Sequence, residues 1–152
     1  MHRSPHASLG YFRDESKTAV AFRDGWFHSG DLGVIDENGY LTVVDRKKDM
    51  IKTGGENVAS REVEEAIYLL AGVAEVAVFG ISHPHWIEAV TAVVVPKQGV
   101  TLTKEQVDAH AREVLAGYKR PKYVVFAESL PKNPSGKILK KDLRVEHADL
   151  AT

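Results

Sequence analysis

Cysteine is absent from the 152-residue sequence, which removes disulfides, thiolate metal sites and a thiol nucleophile at once. That absence fits a reducing compartment. Charge of either sign is without excess, since 20 Lys and Arg stand against 21 Asp and Glu for a formal net charge of -1. Such a balance argues against a nucleic-acid binder resting on a strong basic field. No uninterrupted apolar run approaches the roughly 20 residues that a membrane-spanning helix requires. The opening "MHRSPHASLGY" lacks the apolar core of a secretory signal. Internal repeats and low-complexity tracts are also missing. From these absences we expect a soluble, cytoplasmic protein with no nucleic-acid partner and no transmembrane segment. The sequence enters patterned chain almost at once, so we also expect a fragment of something longer.

What is present suits a packed core, with 43% hydrophobic and 27% charged residues. A short helix is expected from Glu15 to Phe22. "VIDENGYLTVVD" alternates apolar and polar residues around Asn38-Gly39, a strong short-range hairpin signal. The charge cluster "RKKD" follows, and a break in the chain is expected there. Ser60 is expected to cap a helix running to about Ala71, with Val63, Ala66, Ile67 and Leu70 on its buried stripe. "VAEVAVFGI" and "AVTAVVVPK" read as strands. Thr103 and Gln106 match a capping box that opens a helix through about Ala116. "KYVVFAESL" is a third strand. Helix, strand, strand, helix, strand implies an α+β unit with helices packed on a three-stranded sheet. Residues before it form a hairpin-bearing segment too small for a good core of its own.

Several short motifs carry candidate chemistry, each with an ordinary alternative. "NPSGKI" places Lys137 behind a Pro-Ser-Gly turn. It is not a phosphate loop of the G-x-x-x-x-G-K-[ST] kind, because it has one glycine and Ile138 in place of the hydroxyl. Lys137 is then either a solvated turn residue or a cation presented rigidly to an anionic ligand. Gly54 and Gly55 in "TGGEN" allow close backbone approach or simply connect two elements. Asp31 in "HSGDLG" either caps its turn or accepts hydrogen bonds from ribose hydroxyls. His83 and His85 in "HPHW" invite a metal, but zinc takes three or four ligands and Pro84 favours a loop. No metal site is expected.

Taken in order, "HSGD", "DRKKD", "IKTGGEN", "SHPHWIE" and "PKNPSGK" resemble the C-terminal part of an acyl-CoA synthetase of the adenylate-forming superfamily. The resemblance runs from about Ser4 to Arg144. It implies ATP, AMP and coenzyme A as cofactors, with Mg2+ accompanying ATP on ligands outside this chain. It also implies that Asp31 binds the ribose hydroxyls, Arg46 contacts the nucleotide and Lys48 is a hinge. By the same resemblance Lys137 is the catalytic lysine of adenylation and Lys52 assists the second step. Gly54 and Gly55 then let pantetheine pass, and Trp86 contacts coenzyme A. One departure stands out: the family usually has "WGE" where this sequence has "WIE", so Ile87 adds a branched side chain near that route.

The resemblance further implies a large N-terminal domain as partner and a carboxylic acid as substrate. Residues 1–46 would be the last segment of that large domain, 47–145 a mobile lid, and 146–152 a tail. The expected function is that of a fatty-acid–CoA ligase fragment, inactive alone. The alternatives are an adenylation domain loading a carrier protein and a non-catalytic interaction module of the same fold.

Overall fold

The computed structural model describes residues 1–151, so the end of the expected tail, Thr152, lies outside the described residues. The chain divides into two compact units, one ending at Lys48 and the other beginning at Asp49. No helix among the described residues is long and apolar enough to cross a membrane.

The first unit begins with a short helix, α1 (Glu15–Ala21), whose N-cap Asp14 accepts the Lys17 backbone N–H at 2.9 Å. That hydrogen bond holds the Asp14 carboxyl below its ordinary value. Two-residue strands β1 (Phe22–Arg23) and β2 (Trp26–Phe27) pair antiparallel, with Phe22 and Phe27 in ring contact at 4.8 Å. The expected hairpin follows as β3 (Asp31–Ile35) and β4 (Leu41–Arg46). Its turn is longer than Asn-Gly alone requires. The Asp36 carboxylate accepts the N–H groups of Asn38 and Tyr40, and Gly39 takes a φ of +83°. Ile35, Leu41 and Val43 of the hairpin remain exposed, and only Ala21 and Asp45 are buried among residues 1–48.

The second unit contains the true core. It runs through β5 (Ile51–Thr53), β6 (Glu56–Val58), α2 (Ser60–Tyr68), β7 (Val73–His83), β8 (Ile87–Pro96), α3 (Lys104–Val114), β9 (Tyr123–Phe126) and α4 (Lys140–Glu146). A final 3-10 turn spans Ala148–Ala151. The three expected strands are β7, β8 and β9, and the short pair β5 and β6 widens the sheet to five. β7 and β8 are antiparallel along most of their length, while β9 joins β8 in parallel.

Both faces of the β7–β8 pair are covered. Val76, Val78, Val90, Ala92 and Val94 pack with Val63 and Ile67 of α2 and Val107 and Ala111 of α3. The alternate residues Ala77, Phe79, Ile81, Ala89, Val93 and Val95 pack with Leu130 and with Leu143 of α4. Two-sided burial explains why these strands read as unbroken apolar runs and not as alternation. The outer edge of β7 meets α2, where Glu64 Oε1 accepts the Val78 N–H at 2.8 Å. A side chain thereby occupies a strand edge that would otherwise be open for pairing.

Helix boundaries correct several expectations. The N-cap of α2 is Ala59, and Ser60 is the first helical residue. The Ser60 hydroxyl is fully buried and accepts a hydrogen bond from Lys140 Nζ at 2.7 Å, so a long-range partner takes the role expected of a cap. α2 ends at Tyr68, before Ala71, because the chain must turn at Gly72 (φ +98°) to enter β7. α1 stops at Ala21, α3 at Val114 and β9 at Phe126. The capping box of α3 is present, with the Thr103 N–H donating to Gln106 Oε1 at 2.9 Å and the Gln106 N–H to Thr103 Oγ1 at 3.4 Å. Thr103→Ala removes half of that reciprocal pair. It should cost about 1 kcal/mol and lower the unfolding midpoint of the second unit by roughly 4–8 °C. A thermal melt followed by circular dichroism checks this, and an unmoved midpoint would contradict it.

Candidate functional site

In the first unit, strand register brings two of the expected residues together. Asp31 and Arg46 are cross-strand partners at the open end of the β3–β4 hairpin. Arg46 Nε lies 3.1 Å from Asp31 Oδ1, with both side chains partly exposed. The register shifts by one between Leu32 and Gly33. A Cβ at Gly33 would lie 2.9 Å from the Thr42 carbonyl oxygen and 2.7 Å from Leu41 Cδ1, so the second glycine of "SGDLG" is a packing requirement. The Asp31 carboxylate is left oriented by a cation, with lone pairs able to accept from neighbouring hydroxyls.

Lys48 lies between two anchors. The Lys47 N–H donates to the Gly30 carbonyl oxygen at 2.8 Å, within the first unit. Asp49 Oδ1 is 3.1 Å from Arg144 Nη2 on α4, within the second. Each neighbour of Lys48 is thus tied to its own unit.

In the second unit, Lys52, Gly54, Gly55 and Trp86 share one corner. Gly54 and Gly55 form the two-residue turn joining β5 to β6, with φ values of +57° and +88°. Positive φ at both positions of a two-residue hairpin loop is the setting that glycine fills without strain. The Gly54 N–H donates to the Trp86 carbonyl oxygen at 2.9 Å, and a Cβ at Gly54 would lie 3.2 Å from Trp86 Cε3. The Trp86 ring is also contacted edge-on by His85 at 4.3 Å and lies 4.9 Å from Lys122 Nζ in a cation–π geometry. Lys52 itself is exposed, but its backbone N–H donates to Glu88 Oε2 at 2.7 Å. Glu88 fits there because Gly80 lacks a side chain, since a Cβ at that position would lie 2.9 Å from the Glu88 carboxyl carbon. His83, the last residue of β7, holds the turn that follows: its Nδ1 accepts the N–H groups of His85 and Trp86 at 3.1 and 3.3 Å. No group of three or more His, Asp or Glu side chains able to hold a metal is found among the described residues.

Lys137 occupies a different loop of this unit. Residues 132 and 138 bridge across a miniature hairpin, and Gly136 takes a φ of +81° at its tip. The base of the loop is secured by ion pairs. Lys132 pairs with Glu75 of β7, and Lys140 pairs with Glu64 of α2 at 2.7 Å. Lys137 is exposed and has no ion-pair partner among the described residues. The sequence "KNPSGKILK" therefore holds two lysines in structural pairs and one at the tip.

A search of protein-family models matches residues 62–137 to the AMP-binding enzyme C-terminal domain. The chain belongs to this family. Among curated proteins it is 48% identical over 140 residues to a feruloyl-CoA synthase of an Amycolatopsis species. That alignment covers 92% of this chain and 28% of the relative. A long-chain-fatty-acid–CoA ligase of Mycobacterium tuberculosis is 46% identical over 138 residues, covering 91% and 27%. Among solved structures, ATP-bound MatB from Rhodopseudomonas palustris matches with a TM-score of 0.87 at 44% identity, covering 94% of this chain and 29% of that one. The chain thus spans little more than a quarter of the length of these relatives.

For an AMP-binding C-terminal domain, two supporting residues went unnoticed in the sequence. Asn133, in the Lys137 loop, carries a visible signal in the Asn-Pro-Ser-Gly turn pattern. Glu88 carries none, because its partner Lys52 is 36 residues away. The departure at Ile87 also gains a physical meaning. Ile87 has a φ of +72° and is 64% exposed, which for a β-branched residue is a strained backbone without compensating burial. Glycine fits this position for conformational reasons alone. Ile87→Gly should therefore raise the unfolding midpoint, by the equivalent of about 1 kcal/mol, while Ile87→Ala recovers little of that gain. Equal gains from both variants would assign the effect to side-chain bulk and not to φ.

Proposed function

We propose that this chain is the mobile C-terminal part of an AMP-forming acid–thiol ligase, a fatty-acyl-CoA synthetase. The observation that carries this reading is Lys137, an ammonium with no ion-pair partner among the described residues, on a loop whose flanking lysines are neutralised. In the first half-reaction a carboxylate oxygen attacks the α-phosphorus of ATP and the bond to pyrophosphate breaks. Negative charge is concentrated between the two reactants, and a point cation at that place stabilises it. We assign that task to Lys137, which takes no part as a nucleophile. Asp31, held by Arg46, is assigned to the ribose hydroxyls, with Arg46 also facing the nucleotide.

In the second half-reaction the thiol sulfur of coenzyme A attacks the acyl carbonyl and AMP leaves. The Lys52–Gly55 turn is assigned to this step, with the paired glycines as the pantetheine passage. Trp86 is assigned to coenzyme A as well, although its ring is engaged by Gly54, His85 and Lys122. Two lysines on two loops call for a rotation between steps, with Lys48 as the hinge. The anchoring of Lys47 and Asp49 to separate units supports that choice. On this reading residues 1–46 belong to the large N-terminal domain and 47–145 to the lid. The exposed apolar residues of the β3–β4 hairpin support such a covering partner. The names of the two curated relatives favour coenzyme A over a carrier protein as acceptor. Mg2+ enters with ATP on ligands outside this chain, and ATP and coenzyme A as substrates support a cytoplasmic location.

Two measurements test the proposal. The chain alone should show only background ATP–pyrophosphate exchange with a panel of fatty acids, and robust exchange would overturn the fragment reading. In the full-length ligase, Lys137→Ala should slow adenylation by roughly 10²–10³-fold while transfer from a supplied acyl-adenylate to coenzyme A is little changed. Equal loss in both steps would remove Lys137 from its assigned role.

A further inference from the structure

Three hydrogen bonds converge on one oxygen beneath the tip that carries Lys137. Asn133 Oδ1 accepts the Ser135 N–H at 3.1 Å, the Ser135 hydroxyl at 2.8 Å and the Lys137 N–H at 2.8 Å. The Asn133 backbone closes the same loop, its N–H donating to the Lys137 carbonyl oxygen and its own carbonyl accepting the Gly136 N–H, both at 2.9 Å. Because two of the three side-chain donors are backbone N–H groups, the carboxamide oxygen and not its NH2 must face them. The next turn of the loop is closed by Leu139 N–H donating to the Pro131 carbonyl oxygen at 2.8 Å.

We infer that Asn133 is a positioning residue for adenylation, fixing the direction in which the Lys137 side chain leaves the loop. The inference rests on the assignment of Lys137 above. Its physical basis is local. An exposed lysine has a long, freely rotating stem, so the precision of its ammonium depends on the backbone from which it departs. At this loop the backbone N–H and C=O of Lys137 are both tied to residue 133, one through the side chain and one through the main chain. The Lys132–Glu75 and Lys140–Glu64 pairs fix the ends of the loop but leave its tip to Asn133. A tip released by even an ångström would misplace the cation relative to developing charge, a displacement that can cost roughly 100-fold in rate.

The clamp and its consequence are tested separately. In this chain, Asn133→Ala should speed amide hydrogen exchange at Ser135 and Lys137. Asn133→Asp, which keeps an acceptor oxygen in place, should restore protection, and the unfolding midpoint should stay nearly constant in both. Unchanged exchange at Lys137 in Asn133→Ala would overturn the clamp. In the full-length ligase, Asn133→Ala should lower kcat for pyrophosphate exchange about 10- to 100-fold. The KM values for ATP and acid, and transfer from a supplied acyl-adenylate, should change little. Equal slowing of both half-reactions, or a loss confined to KM, would overturn the positioning role. If Lys137→Ala itself leaves adenylation intact, the reading of Lys137 fails. If Lys137→Ala abolishes adenylation while Asn133→Ala spares it, the inference about Asn133 fails alone.

Discussion

The pairing of β7 with β8, buried on both faces, is the constraint from which the rest of the second unit follows. From Val76 to Ile81 and from Ala89 to Val95 nearly every position must be apolar, since odd residues meet the α4 side and even residues meet α2 and α3. Such strands have no room for solvated charge or for a side chain that must move. The candidate site residues of this unit accordingly lie at the strand ends and connecting loops, in the Lys52–Gly55 turn, the Trp86–Glu88 entry and the Lys137 loop. The same burial makes the strands a rigid base. A hydrogen bond to Glu64 ties α2 to β7, and an ion pair from Glu75 to Lys132 ties the Lys137 loop to the same strand.

Charge in this unit is used in two ways that sequence composition cannot distinguish. Lys119 pairs with Glu62, Lys140 with Glu64 and Lys132 with Glu75, each joining elements far apart in the chain. The Glu62 carboxylate raises the Lys119 ammonium above its ordinary value, so this pair is intact at neutral pH and is lost only as pH rises past the usual lysine range. Exposed pairs of this kind contribute little stability individually. Their more evident effect is geometric, because they place loop ends. Lys137 has no ion-pair partner among the described residues, and that follows from the fold and not from the residue type.

Much of the architecture was legible because its causes are local or periodic. Asn38-Gly39 marked the β3–β4 hairpin, the Thr103–Gln106 spacing marked the start of α3, and the valine runs marked β7 and β8. What escaped was decided by distant partners or by brevity. β5 and β6 are three residues each, too short for any period to show, so "TGGEN" read as a connector and the sheet appeared to have three strands. Ser60 had the chemistry of a cap, but Lys140, eighty residues on, takes its hydroxyl. Glu88 reaches Lys52 only because Gly80 leaves space on a neighbouring strand, a relation no spacing rule encodes. The candidate site was legible chiefly through the order of its motifs, since each motif alone has an ordinary explanation. For the glycines of "TGGEN" that ordinary explanation is also present in the structure, where they connect β5 to β6.

Two groups of the candidate site are each held by a partner within their own unit. Asp31 is oriented by Arg46 through strand register, and Lys137 by Asn133 through a closed loop, so each group is fixed by contacts within about 16 residues of chain. Local fixation of this kind matters where a site is assembled by motion. A group that depended on contacts from the moving partner would lose its geometry at every opening and recover it at an entropic cost on closing. Groups set within their own units keep their geometry whatever the position of the other unit. By that argument the side chains most worth testing in such a protein are the neutral ones, like Asn133, that hold the charged ones still.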